Sequence, residues 1–206
     1  MWLICAATDG ELSTWNADVF PNCETLVSGV GIPETFANLL PKVLAGNYSR
    51  IINIGIAGAY PSSGLAIGDI VIADGEVYAD LGMELPTAPG FLPLSETPWG
   101  LAYAEPYPTV APPELVLPGV RVARGATVNA CTGTDATGAA RFARTGASFE
   151  TMEGAAVAQI GQVCNIPVGE IRAISNFSAE RDMRPENIVL AIKNLREYFA
   201  ARARRS

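Results

Sequence analysis

The apolar and polar positions alternate between two periods along the chain. Met1 to Ala7 is an apolar run of strand length, closed by turn chemistry at Thr8, Asp9, Gly10 and Glu11. Thr25 to Val30 reads as a second short strand bounded by Gly29 and Gly31. The pattern then changes: Pro33 and Glu34 open a helix in which Phe36, Leu39, Leu40, Val43 and Leu44 recur at i, i+3, i+4, i+7 and i+8. Arg50 to Ile56 is continuously apolar and β-branched, as a strand covered on both faces requires, and runs into Ala57-Gly58-Ala59. Asp69 to Ala73, Glu76 to Tyr78, Val120 to Asn129 and Val168 to Ile174 predict further strands, the last stopped by Ser175-Asn176. Helices are predicted over Asp135 to Thr145, Glu153 to Cys164 and Asn187 to Arg205.

Between Leu81 and Pro118 the periodicity fades, and nine of the fifteen prolines fall there, with Trp99, Tyr103 and Tyr107. A loop of this length is expected to be functional or poorly ordered. Strands alternating with helices predict a single domain spanning 1–206: three α/β/α layers around a mixed, mostly parallel twisted sheet. Ligands of such sheets bind at the carboxyl ends of strands. That rule selects Asp9 to Glu11, Ala57 to Ala59, Thr127 to Asn129, and Ser175-Asn176.

Composition narrows the function. Apolar residues form 49% of the 206-residue chain and charged ones only 17%, so it folds around a core. The net charge of −7 speaks against a nucleic-acid partner. The one basic cluster, Arg196, Arg202, Arg204 and Arg205, reads as a solvated helix end. There is no histidine, which removes imidazole zinc sites and Ser-His-Asp triads. Cys5, Cys23, Cys131 and Cys164 are scattered, so no metal site is expected. No secretory signal or membrane span is legible, and the expected place is the cytoplasm.

Each candidate taken alone has two readings. Glu11 after the first strand could activate water or be an exposed turn acid. Ala57-Gly58 lets a ligand approach the backbone or simply makes a tight turn, and it matches no nucleotide-binding fingerprint. Glu153 at the mouth of a helix could serve chemistry or the helix dipole. The amide of Asn176 can donate one hydrogen bond and accept another, which suits a 6-oxopurine.

Four strings in order then carry a resemblance: NIGIAGAY (53–60), EVYADLGME (76–84), TMEGAA (151–156) and RAISN (172–176). The chain resembles the nucleoside phosphorylase/hydrolase superfamily, in the branch of the methylthioadenosine/S-adenosylhomocysteine nucleosidases. Within that branch it is most similar to the futalosine hydrolases of menaquinone biosynthesis. The resemblance implies a nucleoside phosphorylase-like fold, a homodimer, no cofactor, and a purine nucleoside cut by water. It implies that Glu11 activates the water and that Met152 and Glu153 hold the ribose hydroxyls. It also implies that Asn176 stands where adenine-specific relatives carry aspartate, which favours hypoxanthine. Thr127, Val128 and Asn129 are expected to line the base pocket, with Ala57, Gly58 and Ser175 also at the substrate. No Lys, Arg or His precedes Lys42, which favours hydrolysis over phosphorolysis. An adenine-type nucleosidase and a nucleoside-binding module without turnover remain as alternatives.

Overall fold

The computed structural model describes residues 1–16, 20, 22–180 and 184–203. Its elements in chain order are β1 (Trp2–Ala6), α1 (Asp9–Leu12), β2 (Cys23–Val27), α2 (Ile32–Ala45), β3 (Arg50–Ala59) and β4 (Ile70–Tyr78). Then follow β5 (Gly82–Glu84), β6 (Phe91–Pro93), β7 (Tyr107–Pro108), β8 (Arg121–Thr127), α3 (Asp135–Thr145), β9 (Phe149–Thr151), α4 (Gly154–Val163), β10 (Val168–Phe177) and α5 (Pro185–Ala203). The main sheet runs β10-β4-β8-β9-β3-β1-β2. β10 also pairs with β3, so five of its strands close on one another. The pairs β1–β2, β1–β3, β3–β10, β4–β8 and β8–β9 are parallel; β4–β10, β3–β9 and β4–β7 are antiparallel. The mixed, mostly parallel α/β class expected from the pattern is the one observed.

Alternation along the strands gives the sheet two cores. Ile4, Ala6, Ile52, Ile54, Ile171 and Ala173 pack under α5 with Ala191, Leu195 and Phe199. Their neighbours Leu3, Cys5, Ile51 and Val168 face the other way, onto Leu39 and Val43 of α2 and Val157 and Ile160 of α4. The period of two therefore sends Asn53, Glu170 and Arg172 to the α4 side as well. All three are fully buried, so this face holds charge where the other holds only apolar packing.

Several boundaries differ from the expectation. Ala57-Gly58-Ala59 is not a loop: β3 continues through Ala59, because β9 and β10 pair with it there on either side. The two strands expected over 69–78 are one, kinked where its register against β8 shifts between Ala73 and Glu76. The expected turn at Asp9–Glu11 is a short helix. β9 went unpredicted because three residues carry no readable period. The proline-rich segment is anchored: β5 and β6 form a hairpin, β7 extends β4, and Leu115 is fully buried under α5. The expected helix end at Arg205, with Arg204, lies outside the described residues.

Gly161 provides a test of packing on the α4 side. In an exposed helix, Gly→Ala stabilises by about 1 kcal/mol. Here a Cβ would lie 2.2 Å from Val168 Cγ2 and 2.7 Å from the Ile166 carbonyl oxygen. Gly161→Ala is expected to destabilise the protein by about 1–3 kcal/mol in urea unfolding; a gain in stability would refute the packing.

Candidate active site

Glu11 is held by the first strand end. Thr8 caps α1, accepting from the Glu11 backbone N–H at 3.3 Å, while the Thr8 hydroxyl donates to Glu11 Oε2 at 2.8 Å. The other oxygen, Oε1, accepts from the Ile56 N–H at 2.9 Å. These bonds fix a buried carboxylate against β3, so it is not an exposed turn acid.

Glu153 stands at the N-terminus of α4 but makes no capping bond to that helix. Its Oε1 accepts from the Gly31 N–H at 2.9 Å, across the fold at the start of α2. Gly31 has φ of 87°, a conformation glycine adopts without strain. Burial raises the Glu153 pKa above its ordinary value, against the opposing pull of Arg172 and the Gly31 bond.

Arg172 links the two acids. It points inward from β10 with no solvent exposure. Nε donates to Glu170 Oε1 at 2.7 Å, and Nη2 lies 3.7 Å from Glu153 Oε2. Neither Nη1 nor Nη2 has a hydrogen-bond partner among the described residues. A Cβ on Gly55 would lie 2.5 Å from Arg172 Nη1 and 2.5 Å from Glu11 Oε1. The bare backbone there is what lets the guanidinium and the Glu11 carboxylate approach. Burial works against the Arg172 charge, but Glu170, Glu153 and Glu11 outweigh it and raise its pKa.

Behind this ion pair lies a further buried acid. Glu76, fully buried on β4, accepts from the Thr127 hydroxyl at 2.8 Å. It has its pKa raised well above 4.5 by burial and then by Glu170. Glu76 Oε1 and Glu170 Oε2 receive no donor from other groups among the described residues. The raised pKa follows from this: two carboxylates sharing such a space repel, so the fold favours a proton on Glu76 to higher pH than in a free side chain. Gly125 and Gly154 make that space: a Cβ on either would lie 1.8 Å and 2.6 Å, respectively, from Glu76 Oε1.

At the other end of the site, β10 bulges. Its register against β3 slips between Ile174 and Asn176, which turns Ser175 and Asn176 together toward the strand end. The Ser175 hydroxyl donates to Asn176 Oδ1 at 2.9 Å, and Asn176 Nδ2 donates to the Phe177 carbonyl at 3.1 Å. These neighbours set which way the amide faces, leaving one N–H and one Oδ1 lone pair for a ligand. Asn176 on β10 and Glu150 on β9 are both in register with Gly58 on β3. Both side chains therefore flank a strand position without a side chain.

A cavity of about 180 Å³ joins these parts. Glu11, Ala57, Gly58, Met152, Glu153, Ser175 and Asn176 line it, seven of the residues singled out from sequence. Thr127, Val128 and Asn129 do not. Thr127 is buried, bonded to Glu76 and to the Ala155 N–H; Val128 is packed in the core; Asn129 is tied to Asp80. The loop just after them takes that position, with Cys131 and Thr132 on the cavity wall.

That loop is staked by residues the pattern did not single out. Glu150 accepts from the Thr132 N–H at 2.8 Å, the Thr132 hydroxyl at 2.6 Å and the Tyr60 hydroxyl at 3.0 Å. Arg141 bridges Glu150 and Asp80 at 3.2 and 3.3 Å. Nothing in sequence separates Arg141 from surface charge. Glu170 did carry a signal, since it interrupts an apolar strand run, and Glu76 and Asp80 both lie in the string 76–84.

The state of Glu76 is testable through stability. The folded protein keeps a proton on Glu76 at pH values where the unfolded chain has released it. Its contribution is therefore complete below pH 4.5 and is lost as pH rises toward the folded value, by up to about 1.4 kcal/mol per pH unit. Glu76→Gln, which imitates the protonated acid, is expected to flatten this decline and to match or exceed native stability at pH 8. Denaturant unfolding from pH 5 to 8 measures it. A steeper decline in the variant would show that Glu76 is ionised in the fold. The contribution from Glu153 remains in both proteins.

Comparison with known proteins agrees with this geometry. The family described as the Phosphorylase superfamily matches residues 25–205. A futalosine hydrolase of Acidothermus cellulolyticus is 37% identical over 188 residues, covering 86% of this chain and 74% of that protein. A futalosine hydrolase of Thermus thermophilus is 34% identical, covering 88% of this chain and 86% of that protein. A Helicobacter pylori 5′-methylthioadenosine/S-adenosylhomocysteine nucleosidase mutant, with 5′-methylthioadenosine in its active site, superposes with a TM-score of 0.78. It covers 100% of this chain and 98% of its own at 18% identity, a likeness of fold alone. With the closed mixed sheet, the acids around Arg172 and the amide at the strand end, these matches lead to one conclusion: the chain belongs to the Phosphorylase superfamily and, within it, to the futalosine hydrolase family.

Proposed function

We propose that this protein hydrolyses the N-ribosidic bond of a 6-oxopurine nucleoside, futalosine, releasing hypoxanthine and dehypoxanthine futalosine. The observation that carries this reading is the arrangement of one cavity, with Glu11 and Glu153 about Arg172 at one end and Asn176 over Gly58 at the other. The reading makes the protein a cytoplasmic homodimer of menaquinone biosynthesis that needs no metal or organic cofactor.

The chemistry is a dissociative cleavage in which C1′–N9 breaks toward an oxocarbenium-like sugar. N7 takes a proton from solvent water as the C1′–N9 bond breaks, so that the base leaves neutral; Asn176 Oδ1 accepts from that N7–H, while Nδ2 donates to O6. Glu153 and Met152 hold the ribose, and this positioning lowers the entropic part of the barrier. Glu11 takes the proton of the attacking water. A buried carboxylate held by two hydrogen bonds is already oriented for this, and the guanidinium of Arg172 supplies positive charge beside it.

The charge balance supports water over phosphate as nucleophile. No Lys or Arg lines the cavity among the described residues, and Arg172 behind it is offset by Glu170, Glu153 and Glu11. A phosphate dianion would meet net negative charge there.

The decisive assay supplies futalosine and inosine with and without phosphate and identifies the products. Hypoxanthine and free sugar are expected at the same rate in both conditions; strict phosphate dependence would make the protein a phosphorylase. Glu11→Gln is expected to lower kcat by roughly a hundredfold or more while the protein still binds hypoxanthine; near-native turnover would remove Glu11 from the mechanism. Asn176→Asp places acceptors against O6. It is expected to lower kcat/KM on the 6-oxo nucleoside and shift the ratio toward the matched 6-amino one by at least about tenfold. An unchanged ratio would mean that the base is read elsewhere.

A further inference from the structure

One polar atom in the cavity has no use in the fold. Ser178 lies just past β10 with 1% of its surface exposed, and it lines the cavity. Its Oγ has no hydrogen-bond partner among the described residues. The residue is nevertheless fixed. Its N–H donates to the Ala59 carbonyl at 2.7 Å, and a Cβ on Gly138 would lie 2.2 Å from its own carbonyl oxygen. A buried hydroxyl without a partner is costly, and when it is held rigidly against a cavity, a ligand is the natural partner.

The position of the hydroxyl says which ligand atom. A Cβ on Gly58 would lie 2.4 Å from Ser178 Oγ and 3.0 Å from Asn176 Nδ2. The hydroxyl and the amide nitrogen therefore sit beside each other above the same bare strand position. Asn176 Nδ2 has one N–H left after its bond to the Phe177 carbonyl. One O–H and one N–H thus converge on a single space. A carbonyl oxygen, with two lone pairs, can accept both; an exocyclic amino group would set its own N–H groups against the amide's.

We propose that Ser178 is a specificity-determining residue, whose hydroxyl donates to O6 of the purine beside the Asn176 amide. This rests on the reading of the cavity as a 6-oxopurine site and adds a second donor to it. Both donors are needed to fill the two lone pairs of O6. Asn176 also serves N7, whereas Ser178 serves O6 alone.

The test pairs deletion of the hydroxyl with deletion of O6. Inhibition constants are measured for hypoxanthine and for unsubstituted purine, which lacks O6, in the wild type and in Ser178→Ala. Loss of the hydroxyl is expected to weaken hypoxanthine by roughly threefold to tenfold while leaving purine within about twofold. Equal weakening of both bases, or of neither, overturns the proposal, since a merely structural serine would not distinguish them. If Ser178→Ala does not fold, Ser178→Cys, which keeps the volume and replaces the hydroxyl with a weak donor, is measured in its place, and the same outcomes decide. Hypoxanthine release by the wild type with an unchanged ratio in the variant refutes only the role of Ser178. Failure of the wild type to release hypoxanthine from any 6-oxopurine nucleoside refutes the functional reading as well.

Discussion

The guanidinium of Arg172 is buried without any solvent, and much of the site follows from how its charge is satisfied. An unpaired buried charge costs about 3–5 kcal/mol, so the surrounding elements must supply acids at fixed places. Glu170, two residues earlier on the same strand, takes Nε. Glu153 approaches from the start of α4 and Glu11 from the start of α1. Two elements distant in sequence thereby present carboxylates to one cation. The cation is left with N–H groups that no described residue takes.

Room for this cluster comes from missing side chains. Gly55 separates Arg172 from Glu11, while Gly125 and Gly154 admit Glu76 beside Glu170. Burial and the neighbouring Glu170 raise the Glu76 pKa, because two carboxylates in contact would repel in a low-dielectric interior. The same device recurs at the base end. Gly58 leaves a strand position open between Asn176 and Glu150, and a bulge in β10 turns the amide onto it. Glu150 and Arg141 then hold the 129–132 loop against that opening. The sheet acts as a rigid frame whose gaps, more than its side chains, shape the cavity.

Much of this frame is legible along the chain. The apolar run of β1, the amphipathic spacing of α2 and the buried stretches of β3 and β10 follow directly from period and composition. They place Glu11, Gly58, Glu153 and Asn176 at element ends, where ligands of parallel sheets bind. Four short strings carry the family. The short β9 was not legible, because three residues have no period, and neither was the extension of β3 through Gly58, because glycine and alanine read equally as a turn.

The sequence by itself determined the order of the long strands and helices, the faces they bury and the residue types available for chemistry, since these depend on local period and composition. Only the tertiary structure decided which residues meet. Arg172 turns toward Glu170 and Glu153 because alternation on β10 sends it to the α4 face, where the start of α4 arrives. Thr127 turns into the core because Glu76 needs its hydroxyl, leaving the cavity wall to Cys131 and Thr132. Ser178 is set beside Asn176 because its N–H pairs with Ala59 just beyond Gly58. Each of these depends on contacts between segments far apart in the chain, which no local pattern records.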